Sequence, residues 1–247
     1  MKTIVALGGE DVKNPRASAI EEFIVRQTGA TRPKGLLIPT ALQEQDWYIN
    51  AHLKIFEKDL GCQMSILRLI TETPAPDEIK HKIAEADFIF TGGGHTRMMI
   101  DVWKKCGVDQ LLKEAWEQGT VISGVSAGAI CWFTYGSTDS PTYEAPDPAE
   151  KLVRMSALGF VPGLFSPHHT TEPQRRDAII KIMKNTDTVG FAVDDKAALV
   201  IQDDKYTVIR SDKNAKVHRV FYSGEELIYE NITTDDMKVY DELFIKE

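Results

Sequence analysis

An α/β fold with a mostly parallel central sheet, helices on both faces and a C-terminal antiparallel β extension is predicted by three observations. Short β-rich apolar runs alternate with longer amphipathic stretches, the βαβ rhythm of a parallel sheet. Glycine-bearing loops follow directly on three of those runs. Beyond about residue 187 the runs are separated only by short Asp-Asp and Asp-Lys-Asn turns, the spacing of antiparallel strands.

The expected parallel strands are Thr3 to Leu7, Gly35 to Ile38, Met64 to Leu69, Phe88 to Phe90 and Val121 to Val125. Between them, Ser18 to Gln27, Gln45 to Leu60, Pro76 to Glu85 and Arg97 to Gln118 carry apolar residues at helical spacing. In the second of these, Ile49, Leu53, Phe56 and Leu60 recur at steps of four, three and four, one stripe that packs on a sheet. Val189 to Val193, Ala197 to Gln202, Tyr206 to Arg210 and Lys216 to Phe221 are the expected extension strands. No linker or repeat interrupts the chain, so residues 1–247 are expected to form one domain, with the extension at about 187–247.

A net charge of −8, with acidic residues spread along the 247 positions, argues against a nucleic-acid partner. No apolar run approaches the roughly 20 residues of a membrane span, and the N-terminal residues run into glycines without a signal-peptide cleavage pattern. A cytoplasmic protein without a membrane partner is expected. Cys62, Cys106 and Cys131 lack C-x-x-C spacing, which argues against a disulfide framework or a zinc site.

Open parallel sheets bind ligands beyond the carboxyl ends of their strands. Three strand-end loops therefore matter: Gly8-Gly9-Glu10, Thr91-Gly92-Gly93-Gly94-His95 and Gly124-Val125-Ser126-Ala127-Gly128. The last has the form G-x-S-x-G, in which flanking glycines permit a sharp strand-to-helix turn that lifts a serine hydroxyl into a cleft. Taken alone, the pattern leaves a nucleophile and a structural turn at even odds.

A serine hydroxyl needs an imidazole to take its proton and a group to orient that imidazole. His168 and His169, in Phe165-Ser166-Pro167-His168-His169, follow an apolar run and are the candidate bases. His52, His81 and His218 fall in elements that read as ordinary surface, whereas His95, in the glycine loop, is placed to touch ligand. Asp139 is the first candidate for the acid and Glu144 the second, giving the chain order Ser, acid, His. The N–H of Ala127 and those of the glycine loop, Gly93 and Gly94, are candidate oxyanion donors. No Walker lysine or G-x-G-x-x-G pattern follows that loop, so a nucleotide site is disfavoured.

These residues together resemble the dipeptidase E and cyanophycinase family of serine peptidases, which use a class I glutamine amidotransferase-like, flavodoxin-like sheet. The resemblance rests on Phe90 to Thr96, Gly124 to Ala129, Ser137 to Ser140, Pro167-His168 and Phe191 to Leu199, spanning most of residues 3 to 202. It implies a flavodoxin-like three-layer sandwich, Ser126 as nucleophile, His168 as base, and an oxyanion hole from Ala127 and the glycine loop, with no cofactor and no metal. Glu144 has the spacing of one type of family acid, and Asp139 fits the other only with a short deletion. The implied partner is a short peptide cut near a free N-terminus, in some members after aspartate. Arg175 or Arg176 would then pair the substrate carboxylate and Asp195 or Asp194 its α-amino group, with His169 lining the site. An α/β-hydrolase-type esterase, which shares the serine turn and the chain order, and a peptide-binding protein without turnover remain open. So does the choice between monomer and homodimer.

Overall fold

Thr3–Leu7 forms β1, in which Ile4 and Ala6 point to one side of a sheet and Val5 and Leu7 to the other, all buried. A strand apolar on both sides belongs between two layers. In the computed structural model, which describes residues 1–145, 147, 149–233 and 236–246, both layers are present. Val5 and Leu7 meet Ile20 and Ile24 of α1 (Ala19–Gln27), Ile49 of α2 (Asp46–Leu53) and Phe56 in a π-helical turn, Lys54–Asp59, that continues α2. Ile4 and Ala6 meet Ile79 and Ile83 of α3 (Pro76–Ala84), Met99 and Trp103 of α4 (Thr96–Cys106) and Leu112 of α5 (Val108–Gln118). The single helix expected over Arg97 to Gln118 is thus two, because Gly107, at φ 71°, ends α4 in the left-handed conformation and begins α5.

Parallel to β1 run β2 (Lys34–Ile38), β3 (Gln63–Ile66), β4 (Phe88–Thr91) and β5 (Val121–Val125), in the order β3-β2-β4-β5-β1. Counting from β2, this is the 2-1-3-4-5 order of a flavodoxin-like sheet with β1 in the fifth place. The fold is mixed α/β, as expected.

The chain after β5 builds a second sheet. A four-residue helix, α6 (Ala127–Ile130), leads to β6 (Phe133–Thr138), and α7 (Ser140–Glu144) leads toward β7 (Val153–Ser156) and β8 (Val161–Ser166). Helix α8 (Gln174–Met183) then crosses over to β9 (Gly190–Val193), so β8 and β9 pair parallel rather than as a hairpin. The expected extension divides between the sheets. Strands β10 (Ala197–Gln202), β11 (Lys205–Arg210) and β14 (Lys238–Val239) continue the main sheet antiparallel beyond β1, whereas β9, β12 (Val217–Ser223) and β13 (Glu226–Asn231) belong to the second. Residues 234, 235 and 247 of the extension lie outside the described residues.

Phe133, Phe165, Phe191 and Phe221 of the second sheet share one buried cluster with Ile4 and Ala6, so the two sheets pack on a common core. The other side of the second sheet, at Leu164, Ala192 and Val220, is covered by Ile179 and Met183 of α8. The carboxyl ends of β1, β4 and β5 open on one edge, and β8 and β9 end beside them.

Candidate active site

Ser126 sits where β5 turns into α6, with φ 54° and ψ −116°. A non-glycine residue in such a region costs on the order of 1–3 kcal/mol and is held only by its surroundings. The surroundings here are specific. Thr91 at the end of β4 donates its hydroxyl to Ser123 O at 3.0 Å and to Gly128 O at 2.8 Å, stitching the turn to β4. A side chain at Gly124 would collide with Thr91 and Gly128, and one at Gly128 with Thr91, so both glycines of the motif are required by close packing. The Ser126 N–H donates to Leu7 O at 3.2 Å.

The next carbonyl along β1 holds the imidazole residue: His168 N–H donates to Gly8 O at 3.2 Å, and His168 itself adopts φ 59°. Two successive carbonyls at the end of β1 therefore fix Ser126 and His168. Both line one cleft of about 240 Å³, with Gly93, Gly94, Glu10 and Tyr48. His168 Nδ1 lies 2.7 Å from Asp195 Oδ1, while Asp195 Oδ2 accepts from the Thr171 hydroxyl at 2.8 Å and its N–H at 3.2 Å. Burial works against ionisation of Asp195, but the hydrogen bonds from His168 and Thr171 outweigh it and hold the carboxyl below its usual range. With Nδ1 engaged, Nε2 is the imidazole atom open to a hydroxyl.

The carboxylate on His168 is thus Asp195, expected at the substrate, and neither Asp139 nor Glu144. Helix α7 carries Glu144 to the start of α4, where it meets His95 Nε2 at 3.3 Å and Arg97 Nη1 at 3.0 Å. Asp139 lines the cleft but faces Arg175 Nη2 at 3.9 Å. The other expected contacts also move. His95 stacks on Tyr143, with ring centroids 5.0 Å apart, and is absent from the cleft lining. His169 turns toward the second sheet, between Ser166 Oγ at 2.9 Å and Tyr229 Oη at 3.4 Å. Burial, followed by the nearby charge of Arg175, pushes its pKa down to about 3.

Arg175 is 1% exposed and bound to Glu172 Oε2 at 2.7 Å and Ser137 O at 3.1 Å, and Arg176 stacks on Tyr229 at 4.1 Å. Neither reaches the cleft as a free cation. Among the described residues no lysine or arginine lines it, and Glu10, Asp139 and Glu172 do. Asp194, the other candidate for an α-amino group, instead accepts from Lys216 N–H at 2.8 Å.

Of the expected oxyanion donors, Gly93 N–H is engaged by the Tyr48 hydroxyl at 2.9 Å, while those of Gly94 and Ala127 make no hydrogen bond among the described residues. Tyr48 and His52 are not among the expected site residues, and Glu10 is expected there only as part of the first strand-end loop. His52, expected at the surface, is fully buried. The available signal was Glu10 in the first glycine loop and the Tyr48–His52 spacing of four, which puts both on one face of α2.

Comparison with known proteins gives the family. The profile of Peptidase family S51 matches residues 4–209. The chain belongs to peptidase family S51. It is accordingly a peptidase, a hydrolase. An uncharacterized peptidase of Bacillus subtilis, YgaJ, is 36% identical over 230 residues, 92% of this chain and 95% of that protein. The cyanophycinase of Synechococcus elongatus is 24% identical over 210 residues, 81% of this chain and 63% of that protein. In fold, the chain resembles a peptidase from an acI-B1 Actinobacterium, with a TM-score of 0.73 at 17% identity over 97% of each chain. It also resembles a putative peptidase E protein from Listeria monocytogenes, with a TM-score of 0.62 at 21% identity over 85% of this chain and 98% of that one. No helix among the described residues is long and apolar enough to cross a membrane.

Proposed function

We propose that this peptidase is of the serine type and cleaves short peptides near a free N-terminus. The observation that carries the reading is the pairing of His168 Nδ1 with the ionised Asp195 in the cleft that holds the backbone-strained Ser126. His168 Nε2 takes the Ser126 proton as Oγ bonds to the peptide carbonyl carbon. The imidazolium, steadied by Asp195, then returns that proton to the leaving amine as the C–N bond breaks. Water, deprotonated by the same imidazole, attacks the acyl-enzyme ester, and the proton passes back to Ser126 as the acid product leaves. The free N–H groups of Gly94 and Ala127 are the candidate donors to the carbonyl oxygen as it gains charge.

The lining supports the substrate class. Glu10, Asp139 and Glu172 line the cleft, and among the described residues Arg175 is the one guanidinium paired with the last two, so the excess of negative charge suits a substrate ammonium group rather than a carboxylate. A preference for N-terminal aspartate finds no free cation there among the described residues, because Arg175 is buried against its own partners. The esterase alternative of α/β-hydrolase type calls for an antiparallel first hairpin, whereas β1 and β2 each pair parallel with their neighbours among β3, β4 and β5.

A dipeptide library, presented with free and with acetylated N-termini, tests the reading. The wild type is expected to hydrolyse the free-amine set, and Ser126→Ala to lose roughly 10,000-fold or more in kcat. Hydrolysis by Ser126→Ala at the wild-type rate would remove Ser126 from its role, and equal cleavage of acetylated peptides would remove the ammonium requirement.

A further inference from the structure

The glycine loop treats its four consecutive amides differently. Gly92 N–H donates to Ile38 O at 3.3 Å, Gly93 N–H to Tyr48 Oη at 2.9 Å and His95 N–H to Ala41 O at 2.8 Å. Gly94 N–H alone makes no hydrogen bond among the described residues. The loop also lies against the serine, since a methyl group at Gly93 would sit 3.2 Å from Ser126 Cβ. Gly94, at φ 130°, tolerates no side chain, because one would run into the Ala41 backbone. One unpaired amide is therefore held beside Ser126 by pinned amides on each side.

The pin at Gly93 is a side chain with its own support. Tyr48 is 3% exposed, and its hydroxyl has a single proton. Because Gly93 N–H can only donate to it, that proton goes to Glu10 Oε1, 3.0 Å away. Burial, and then the charge of Glu10, push the Tyr48 pKa well above its usual value, so the group stays a hydroxyl and keeps the proton it donates. Glu10 is held in turn by His52 Nε2, at 3.1 and 3.2 Å from its two oxygens. His52 Nδ1 is anchored on the Tyr48 carbonyl at 2.9 Å, and the ring packs between Tyr48 and Phe90 with centroids 4.4 and 5.0 Å away. Donation thus runs from the glycine loop through Tyr48 to Glu10, which His52 of α2 holds from the other side.

We propose that Tyr48, oriented by Glu10 and His52, is a positioning residue for the oxyanion site: by binding Gly93 N–H it sets the peptide so that Gly94 N–H joins Ala127 N–H at the carbonyl attacked by Ser126. The inference rests on the serine-type reading above. Tyr48 acts on charge that develops during reaction, so its loss falls on kcat more than on KM.

Tyr48→Phe keeps the buried ring and removes the hydroxyl. It is expected to lower kcat roughly 10- to 100-fold, less than the roughly 100- to 1,000-fold of deleting a donor outright, with KM changed by less than about twofold. A peptide aldehyde places an oxyanion-like oxygen in the site when its carbonyl carbon bonds to Ser126 Oγ, with the Ser126 proton passing to His168. The matching peptide alcohol carries no carbonyl. Inhibition by the aldehyde should weaken by the same factor as kcat, and inhibition by the alcohol should not change. Glu10→Gln, which leaves an acceptor of the same shape without the charge, should lower kcat and aldehyde inhibition by a smaller factor, with a rise in KM as well because Glu10 also lines the cleft. Unchanged kcat and aldehyde inhibition in Tyr48→Phe would overturn the proposal, as would equal weakening of aldehyde and alcohol, the signature of a general packing role. A wild type that forms no aldehyde adduct and hydrolyses no peptide would instead overturn the serine-type reading on which this rests.

Discussion

Strand β8 delivers His168 between two parallel neighbours, and each neighbour is followed directly by an aspartate. On one side, β6 pairs Gly136 with Phe165, a register that brings Asp139 level with His168. On the other, β9 pairs Ser166 with Ala192, which brings Asp194 and Asp195 level with His168 and His169. Both loops are placed to offer a carboxylate to the imidazole. Only Asp195 binds it, and the partners behind each acid account for the difference. Asp139 faces Arg175, which is fixed from behind by Glu172 and Ser137 O, whereas Asp195 has the Thr171 hydroxyl and N–H on its second oxygen and, among the described residues, no lysine or arginine paired with it. A buried arginine thus removes one acid from contention and leaves the other. Which acid serves a histidine is decided by what each acid is already bound to, as much as by distance along the chain.

The largest expected effect comes from exchanging charge at the two acids. Asp195→Asn leaves shape intact but removes the acceptor that fixes the His168 tautomer, and kcat should fall roughly 10,000-fold, as for an isosteric change at the acid of a serine triad. Asp139→Asn should lower kcat by less than about tenfold, since Asp139 touches neither Ser126 nor His168 by hydrogen bond. Steady-state rates on one good peptide decide between them, and the reverse ranking would return Asp139 to the role expected from sequence. Next in size is Arg175→Met, read by urea unfolding. Breaking a buried ion pair costs about 3–5 kcal/mol, and the low end applies here because Glu172 and Asp139 are each about a third exposed and can rehydrate. A loss under about 1 kcal/mol would mean that Arg175 does not anchor the 139 loop.

The same contrast explains what could be read from the chain and what could not. The parallel strands were legible because burial on both faces makes each a continuous apolar run, as in Ile4 to Leu7. The turn at Ser126 was legible because its glycines answer to packing within the strand-loop-helix unit and the adjacent Thr91. The second sheet was legible only in part, at β9 and β12. Strands β6 and β7 carry residues such as Thr134, Tyr135 and Arg154 that give no run, and the parallel β8–β9 pairing follows from a crossover through α8 rather than from local pattern. Asp195 became the partner of His168 only through that pairing, so its role was invisible to spacing. His52 was misplaced for a related reason: its burial depends on Glu10, forty-two residues away, arriving from the end of β1.

The smallest expected effect tests the far side of the same loop, where His169 continues the β8–β9 alignment by donating its N–H to Val193 O at 3.3 Å. Its ring is half-buried between Ser166 and Tyr229, with Arg175 nearby, and its pKa falls from the usual 6.5 to about 3. Below about pH 6.5 an unfolded chain binds a proton at this residue that the folded chain refuses until about pH 3. The stability contribution of neutral His169 is therefore complete above pH 6.5 and is lost progressively as pH falls through that window. Between pH 6.5 and 4.5 Asp195 adds little to the slope, and adds it equally to both proteins, since its carboxyl stays ionised in the folded chain and its unfolded value is near 3.8. His169→Gln, whose amide can still bond Ser166 Oγ, should unfold in urea with a smaller loss of stability from pH 6.5 to 4.5 than the wild type. Identical losses would mean that the imidazole is protonated in the folded state, and that the second-sheet side of the loop is as open to charge as the cleft side.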